Sequence, residues 1–340
     1  MNRTQAFGAA GGFALFLVLA LPSGALAQED LLDGVGPPAA DERGPVPPPP
    51  EDADVSIRLR NASNGTVGVG ERVTAFAKIK PFVRGERMQI RFVRGGKVVK
   101  RKNLRVKRLR DTNSGQVKLR SKGILKPGTY RAYAKHKPSD AQRRGKARSH
   151  RFHPTYPDLD PGDRNTKVSL FKRLLRQRGY YVGSGKKYDS GTSRAVMAFR
   201  KVNNMSRSFN ANPEIFRRLA DGKGGFGLKY PGAGRHVEVD ISRQVMVLAD
   251  RRKAQHIFHV STGAPATPSD KGKFRFYRRD PGYNSIGMYY SVYYNRGEAI
   301  HGYKSVPTYP ASHGCIRNPI PNSVFIYNWV SLGMPIYVYA

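Results

Sequence analysis

The apolar residues of this chain change period twice, and the changes divide it into blocks that one core cannot serve. From Val55 to Phe152 they recur at every second position in short runs: Val55-Ser-Ile-Arg-Leu-Arg, Val73-Thr-Ala-Phe-Ala-Lys-Ile, Met88-Gln-Ile-Arg-Phe-Val and Thr129-Tyr-Arg-Ala-Tyr-Ala. Turn residues separate the runs: Gly70-Glu71, Gly85, Gly95-Gly96 ahead of Val98-Val99, and Pro127-Gly128. A period of two puts alternate side chains on one face of a strand. Short strands at this spacing predict an immunoglobulin-like β-sandwich over residues 55–152.

From Asp163 the period becomes helical. Val168, Phe171, Leu174 and Leu175 share one helix face, and Gly179 stops the helix before Tyr180-Tyr181. Ser190 or Thr192 is the expected cap of a second helix carrying Ala195, Val196 and Phe199. Asn212-Pro213 opens a third with Ile215, Phe216 and Leu219. Residues 160–222 therefore read as a small three-helix bundle. Beyond His236 the strand pattern returns in Val237-Glu-Val-Asp-Ile, Gln244-Val-Met-Val-Leu and His256-Ile-Phe-His-Val. Residues 235–340 form a third, mostly-β block, so the expected chain is multidomain and mainly β.

The N-terminal residues belong to none of these blocks. Arg3, the apolar run Phe13–Leu21 and the small-x-small pattern Ala25-Leu26-Ala27 read as a signal peptide over residues 1–27. An uncleaved membrane anchor is the alternative, and the membrane is expected as a partner only through this segment. Residues 28–54 read as a Pro-rich linker, extended through Pro47–Pro50. The expected location is the cell wall, the periplasm or the medium.

Sixty Lys and Arg against 24 Asp and Glu give a formal charge of +36. Such an excess implies an anionic environment: nucleic acid, anionic lipid or an acidic wall polymer. Export points away from nucleic acid and leaves anionic wall polymers as the expected polyanionic partner. Arg91, Lys97, Lys100, Arg101, Lys102, Arg105, Lys107, Arg108 and Arg110 concentrate charge on outward strand positions. Such a run reads equally as a solvated face or as a docking face.

The chain has one cysteine, Cys315. In an oxidising compartment it has no internal disulfide partner, which leaves a reactive thiol, intermolecular pairing or a small buried hydrophobe as readings. Its setting, Ala311-Ser312-His313-Gly314-Cys315-Ile316-Arg317, lies shortly after Ile300-His301-Gly302-Tyr303. A thiol attacks a carbonyl as its thiolate, so it needs a base or a cation nearby, and His301 and His313 are available. Pro307 and Pro310 between them make a loop that can fold back. Gly314 allows close approach of backbone to substrate, and the N–H groups of Gly314 and Cys315 suit an oxyanion hole. Zinc is the competing reading, but one Cys and two His without a fourth ligand fit a structural site poorly. No metal or cofactor is expected.

These motifs resemble known families. Gly179-Tyr180-Tyr181 followed by Tyr188-Asp189-Ser-Gly-Thr192-Ser-Arg-Ala195-Val196-Met-Ala-Phe199 resembles the peptidoglycan-binding domain that accompanies many wall hydrolases. Its role would be glycan binding or a structural spacer. His301-Gly302, a loop, then Ser312-His313-Gly314-Cys315-Ile316-Arg317 resembles the signature of the L,D-transpeptidases, the YkuD-like catalytic domain. Val260-Ser261-Thr262-Gly263, Thr267-Pro268 and Gly272-Lys273-Phe274 agree with it, as does Val239-Asp240-Ile241-Ser242-Arg243-Gln244. The resemblance implies Cys315 as nucleophile, His301 as its base and the Gly302 carbonyl as orienter of the His301 ring. Ser312 and His313 would shape the site, Arg317 would stabilise the loop or meet a substrate carboxylate, and Tyr289, Tyr290 and Tyr303 would wall the acyl-donor groove. The implied substrates are peptidoglycan stem peptides and the implied product a 3→3 cross-link. Water as acceptor would give an L,D-carboxypeptidase, and a protein amine would give attachment of that protein to the wall. A catalytically silent wall-binding protein is the reading of a different class. His236, His256 and His259 are expected to be strand residues without a role.

Overall fold

In the first block, burial alternates residue by residue along the strands, and that alternation fixes which way each sheet faces. A computed structural model describes residues 47–340. Residues 1–46, with the expected signal segment and most of the expected linker, lie outside that range. The strands of this block are β1 (Asp54–Arg60), β2 (Thr66–Gly68), β3 (Thr74–Lys80), β4 (Arg87–Arg94), β5 (Lys97–Arg105), β6 (Lys107–Arg108), β7 (Gly115–Arg120), β8 (Tyr130–His136), β9 (Lys146–Arg148) and β10 (His153–Thr155). They make two four-stranded sheets, ordered β1-β3-β7-β6 and β5-β4-β8-β9, and a short parallel pair, β10-β2. Ala75, Ala77 and Ile79 of one sheet and Met88, Ile90 and Phe92 of the other are buried in one cluster, so the sheets share a core. The intervening residues point outward and carry most of the positive charge.

Three helices follow: α1 (Thr166–Gln177), α2 (Ser190–Val202) and α3 (Pro213–Ala220). Each is opened by a side chain that accepts a backbone N–H bond, Asn165 from Val168, Asp189 from Thr192 and Asn212 from Ile215. The cap of α2 is Asp189, one residue before the expected Ser190, because its carboxylate has two tasks. One oxygen caps the helix and the other takes the ammonium of fully buried Lys172 at 2.7 Å. The Lys172 ammonium also donates to the carbonyls of Ser184 and Lys187, so all three of its N–H bonds have acceptors.

The last block contains β11 (His236–Asp240), β12 (Val245–Asp250), β13 (Lys253–His259), β14 (Gly272–Arg275), β15 (Arg278–Tyr283), β16 (Tyr289–Asn295), β17 (Glu298–Tyr303), β18 (Ile316–Pro319), α4 (Ile320–Trp329) and β19 (Pro335–Tyr339). Two sheets result, ordered β13-β12-β11-β19-β14 and β15-β16-β17-β18. Val237, Val239, Met246, Leu248 and Ile336 of the first pack against Val292, Ile300 and Ile316 of the second and Ile326 of α4. The architecture of the described residues is mostly β. Among them no helix is long and apolar enough to cross a membrane.

Residues from Pro49 to Ala340 make up one compact unit, and the helical bundle is fused to the C-terminal sheets. Its core continues into Val245, Val247 and Ile257. Gly179 (φ +89°) lets the chain turn where an added Cβ would strike the Ala254 carbonyl. The next two residues extend along β13: Ile257 N–H donates to the Gly179 carbonyl at 2.8 Å, and Tyr181 N–H donates to the Ile257 carbonyl at 3.2 Å. The Tyr181 ring then packs on Phe258 and Phe325. The Gly-Tyr-Tyr segment thus joins the bundle to the C-terminal block.

Candidate active site

The site is built at the β17–β18 edge. These strands run parallel, with Ile300 beside Ile316 and His301 beside Arg317. Parallel neighbours need a crossover, and residues 304–315 supply it as an irregular loop. Side chains two apart on a strand share a face, which places His301 and Tyr303 together on β17. Arg317 lies on the same face, its guanidinium 4.3 Å above the Tyr303 ring. Cys315 is the bend residue immediately before β18, where it packs with Ala299 of β17.

The His301 ring is buried, 3% exposed. Its Nδ1 lies 3.0 Å from the carbonyl oxygen of Gly302 and donates to it. That bond assigns the proton to Nδ1 and leaves the Nε2 lone pair free to accept. Tyr303 closes on the ring edge-on, with centroids 5.7 Å apart. Burial pulls the His301 pKa down to about 4 against the Gly302 bond, and the Arg317 charge adds to that pull. The imidazole is therefore neutral, in its basic form, at physiological pH. Gly302 has no room for a side chain, because an added Cβ would overlap Ser323 Oγ on α4.

Cys315 is partly buried and packs with Met288, Tyr293 and Ala299. Its thiol points to the Gly297 carbonyl, 3.8 Å away, rather than to His301. Burial raises its pKa above the ordinary thiol value, and the Glu298 carboxylate pushes in the same direction. An N–H from Ala299 and the Arg317 charge oppose them. Both shifts favour the neutral form, of the thiol and of the imidazole.

The turn that presents Cys315 is held from both sides. Ser312 Oγ donates to the Cys315 carbonyl at 2.5 Å, and Ser269 Oγ donates to the Gly314 carbonyl at 2.5 Å. Gly314 adopts φ +107°, a conformation that favours glycine, and an added Cβ would press on Glu298. His313 is exposed at the tip of this turn. Of the expected wall residues, Tyr303 touches His301. Tyr289 lies beside Gly302 across the β16–β17 pairing and packs at a tilt against exposed Tyr283. Tyr290 contacts Tyr289 but sets its ring edge-on to Tyr327 of α4, so it is further removed.

Several supporting residues escaped the sequence reading. Thr267 Oγ1 donates to the Ser312 carbonyl at 3.0 Å and Ser261 Oγ to the Tyr309 carbonyl at 2.6 Å. The segment from Ser261 to Ser269 thereby braces the cysteine loop. It folds tightly on itself, and at Gly263 any Cβ would overlap the Thr267 carbonyl and the Ser269 amide. The Ser-Thr-Gly…Thr-Pro spacing was the available signal, although it carried no individual role. Glu298 bonds the Asp270 amide at 2.9 Å and sits against Gly314.

His259, expected to have no role, is part of a buried relay. Lys201 of α2 is 3% exposed and donates to His259 Nδ1 at 2.8 Å, to the Val260 carbonyl at 2.9 Å and to the Gln244 carbonyl at 3.1 Å. His259 Nε2–H then donates to the Val306 carbonyl, 3.2 Å away in the cysteine loop. Burial pulls the His259 pKa down to about 3, with the Lys201 charge acting in the same direction, and pulls Lys201 itself down to about 6, so the His259 ring is neutral and the relay fixes its tautomer. Arg207, in the segment after α2, donates to the carbonyl of Thr308 in the same loop. The helical bundle thus holds the crossover that carries the candidate nucleophile.

Among the described residues no group of three or more His, Cys, Asp or Glu is placed to hold a metal ion. The family model of the L,D-transpeptidase catalytic domain (YkuD) matches residues 234–338. Among solved structures, the L,D-transpeptidase of Xylanimonas cellulosilytica is 25% identical, with a TM-score of 0.50 over 55% of this chain and 98% of that one. An L,D-transpeptidase of Stackebrandtia nassauensis is 18% identical (TM-score 0.34; 55% of this chain, 97% of that one). The catalytic domain of the Enterococcus faecium L,D-transpeptidase is 24% identical (TM-score 0.28; 32% and 98%). A search of curated proteins finds no match. The first structure covers more of this chain than the family match does, so the shared fold extends beyond the catalytic residues.

Proposed function

We propose that this protein, an L,D-transpeptidase by its C-terminal domain, is exported to the cell wall and forms 3→3 cross-links through a Cys315 thioester. Its substrates are peptidoglycan stem peptides, on which the family acts. Sγ rotates from Gly297 toward His301, whose Nε2 takes the thiol proton as sulfur attacks the carbonyl of the L-centre of diaminopimelate in a tetrapeptide stem. Negative charge collects on the carbonyl oxygen, where the N–H groups of Gly314 and Cys315 receive it. One such donor is worth roughly 3–4 kcal/mol. As the intermediate collapses, the C–N bond breaks and His301 returns its proton to the leaving amine of D-Ala. The side-chain amine of a second stem then attacks the thioester. His301 takes a proton from that amine and passes it to the departing thiolate.

Ser312 holds the turn, His313 and Arg317 meet the stem beyond the reacting carbonyl, and Tyr303 and Tyr289 wall the donor groove, with Tyr290 behind Tyr289. The observation that carries this reading is the buried His301, its Nδ1 held by the Gly302 carbonyl, on the strand that pairs with the one beginning immediately after Cys315.

The test is intact mass after incubation with a carbapenem, wild type beside Cys315→Ala. An adduct on the wild type alone supports the nucleophile, and digestion of purified sacculi then identifies the acceptor as an amine of a second stem, water or a protein. A folded wild type that stays unmodified would overturn the assignment and move the wall-binding reading forward.

A further inference from the structure

A hollow of about 660 Å³, lined by none of the candidate site residues, lies on the outer face of the β5-β4-β8-β9 sheet. Arg91, Tyr133, Lys135, Arg144, Lys146 and Arg148 line it together with Gln89 and two alanines, and no carboxylate does. Among the described residues none of its five cations forms an ion pair.

The strand register makes this more than a solvated surface. Arg91 stands directly opposite Arg101 on β5, Arg87 opposite Arg105, and Lys135 opposite Lys146 on β9. Like charges directly across a sheet are destabilising. A face that only needed to be soluble could alternate sign at no cost. This one repeats the same sign in two adjacent rows, Arg101-Arg91-Tyr133-Arg148 and Asn103-Gln89-Lys135-Lys146.

We infer that this face binds an extended polymer of phosphodiester-linked polyol or sugar units. Along the rows, Arg101 stands one strand spacing from Arg91 and Lys135 one from Lys146, about 5 Å, while Arg148 lies two spacings from Arg91, beyond Tyr133, all over a concave surface. A phosphate, with several acceptor oxygens, can bridge two of them at once, and Arg is suited to such forked recognition. A hollow fits a chain better than a flat bilayer. The one aromatic side chain in it, Tyr133, is already covered by the Arg91 guanidinium at 5.1 Å and is not open for base stacking. The choice of a wall polymer over a nucleic acid rests on the proposed function. The cationic face itself does not.

The experiment uses Cys315→Ala protein, so binding is read without turnover. Carbapenem acylation of the parent chain is measured separately, so failure of one reading leaves the other standing. Soluble poly(glycerol phosphate) is titrated at several salt concentrations against this protein and against an added Arg91→Gln/Lys135→Gln/Lys146→Gln triple. A control triple, Arg173→Gln/Lys186→Gln/Lys187→Gln, removes the same charge from the exposed surface of the helical bundle. The face triple should weaken binding roughly tenfold and lower the slope of log K against log salt by about 2, at about 0.7 per lost contact with a single-stranded polyanion. Its melting temperature should hold or rise, because cross-strand repulsion is relieved. The control should stay within about twofold, since lost net charge alone is screened beyond about 10 Å. Equal losses in both triples, no loss in the face triple, or tighter binding of a single-stranded oligonucleotide at matched phosphate and salt would each overturn the inference.

Discussion

Replacing Lys201 by Met tests whether the helical bundle controls the cysteine loop. Met keeps much of the length and removes the nitrogen that contacts Gln244, His259 and Val260. The Gln244 carbonyl retains the Val260 N–H as a partner, which leaves the Val260 carbonyl and His259 Nδ1 as the orphaned acceptors. At about 1–3 kcal/mol for each unsatisfied buried group, the loss is roughly 2–6 kcal/mol. Part of it is offset because an amine that loses several kcal/mol on burial is no longer buried. A net destabilisation of about 2 kcal/mol is expected, which lowers the melting temperature by roughly 4–8 °C at about 2–4 °C per kcal/mol.

The larger effect should fall on function. Without the Lys201 donor, His259 is free to put its proton on Nδ1, and the Nε2–H bond to Val306 is lost. The loop between His301 and Ser312 then loses one anchor and keeps Arg207–Thr308. Carbapenem acylation at 25 °C, where both proteins are folded, should slow about tenfold, equivalent to about 1.4 kcal/mol in the barrier. The thiol titration measured by iodoacetamide should stay unchanged, because no charge near Sγ is altered. An acylation rate equal to wild type, or one reduced only by the unfolded fraction, would refute the coupling.

Three other outcomes are expected. With His301 held near pKa 4 by burial, acylation should be flat through neutral pH and fall only as the pH drops through about 4, when the base gains a proton. An acid limb centred near 6.5 would show an exposed histidine instead. Asp189→Ala strands the fully buried Lys172 ammonium and removes the α2 cap; it should cost about 3–5 kcal/mol by denaturant titration, and a loss under 1 kcal/mol would show that Lys172 finds other partners. The Asp189 carboxyl is pushed up by burial but held below its ordinary value by bonds from Lys172 and Thr192. Its contribution is therefore present above the unfolded carboxylate pKa and lost as pH falls through the folded one. Gly263→Ala should destabilise by about 1–3 kcal/mol and slow acylation, whereas Gly227→Ala, with nothing within 4 Å of its added Cβ, should do neither; equal effects would mean the Ser261–Ser269 turn tolerates a side chain.

The C-terminal mostly-β block and its transpeptidase family were legible in the sequence because both signals are local. A period-two run marks a strand wherever it packs. A lone cysteine in Ser-His-Gly-Cys-Ile-Arg, shortly after His-Gly, carries its chemistry in a few residues. The bond from His301 to the Gly302 carbonyl spans adjacent residues, so a short motif could contain it. The α2 cap was misplaced, by one residue at Ser190 or three at Thr192, because both qualify by type as well as Asp189. Only the position of Lys172, 17 residues away, selects the aspartate.

What the sequence determined, then, is the kind of element in each block and the candidate reactive groups, since these follow from residue type and short spacing. What the tertiary structure decided is which distant residues meet. Lys201 and His259 are 58 residues apart, His259 and Val306 are 47, and Ser269 and Gly314 are 45. Those pairs exist because β13, α2 and the cysteine loop pack into one unit, where each buried polar group must find an acceptor or donor among whatever neighbours the fold supplies. A single sequence records the groups but not the neighbours.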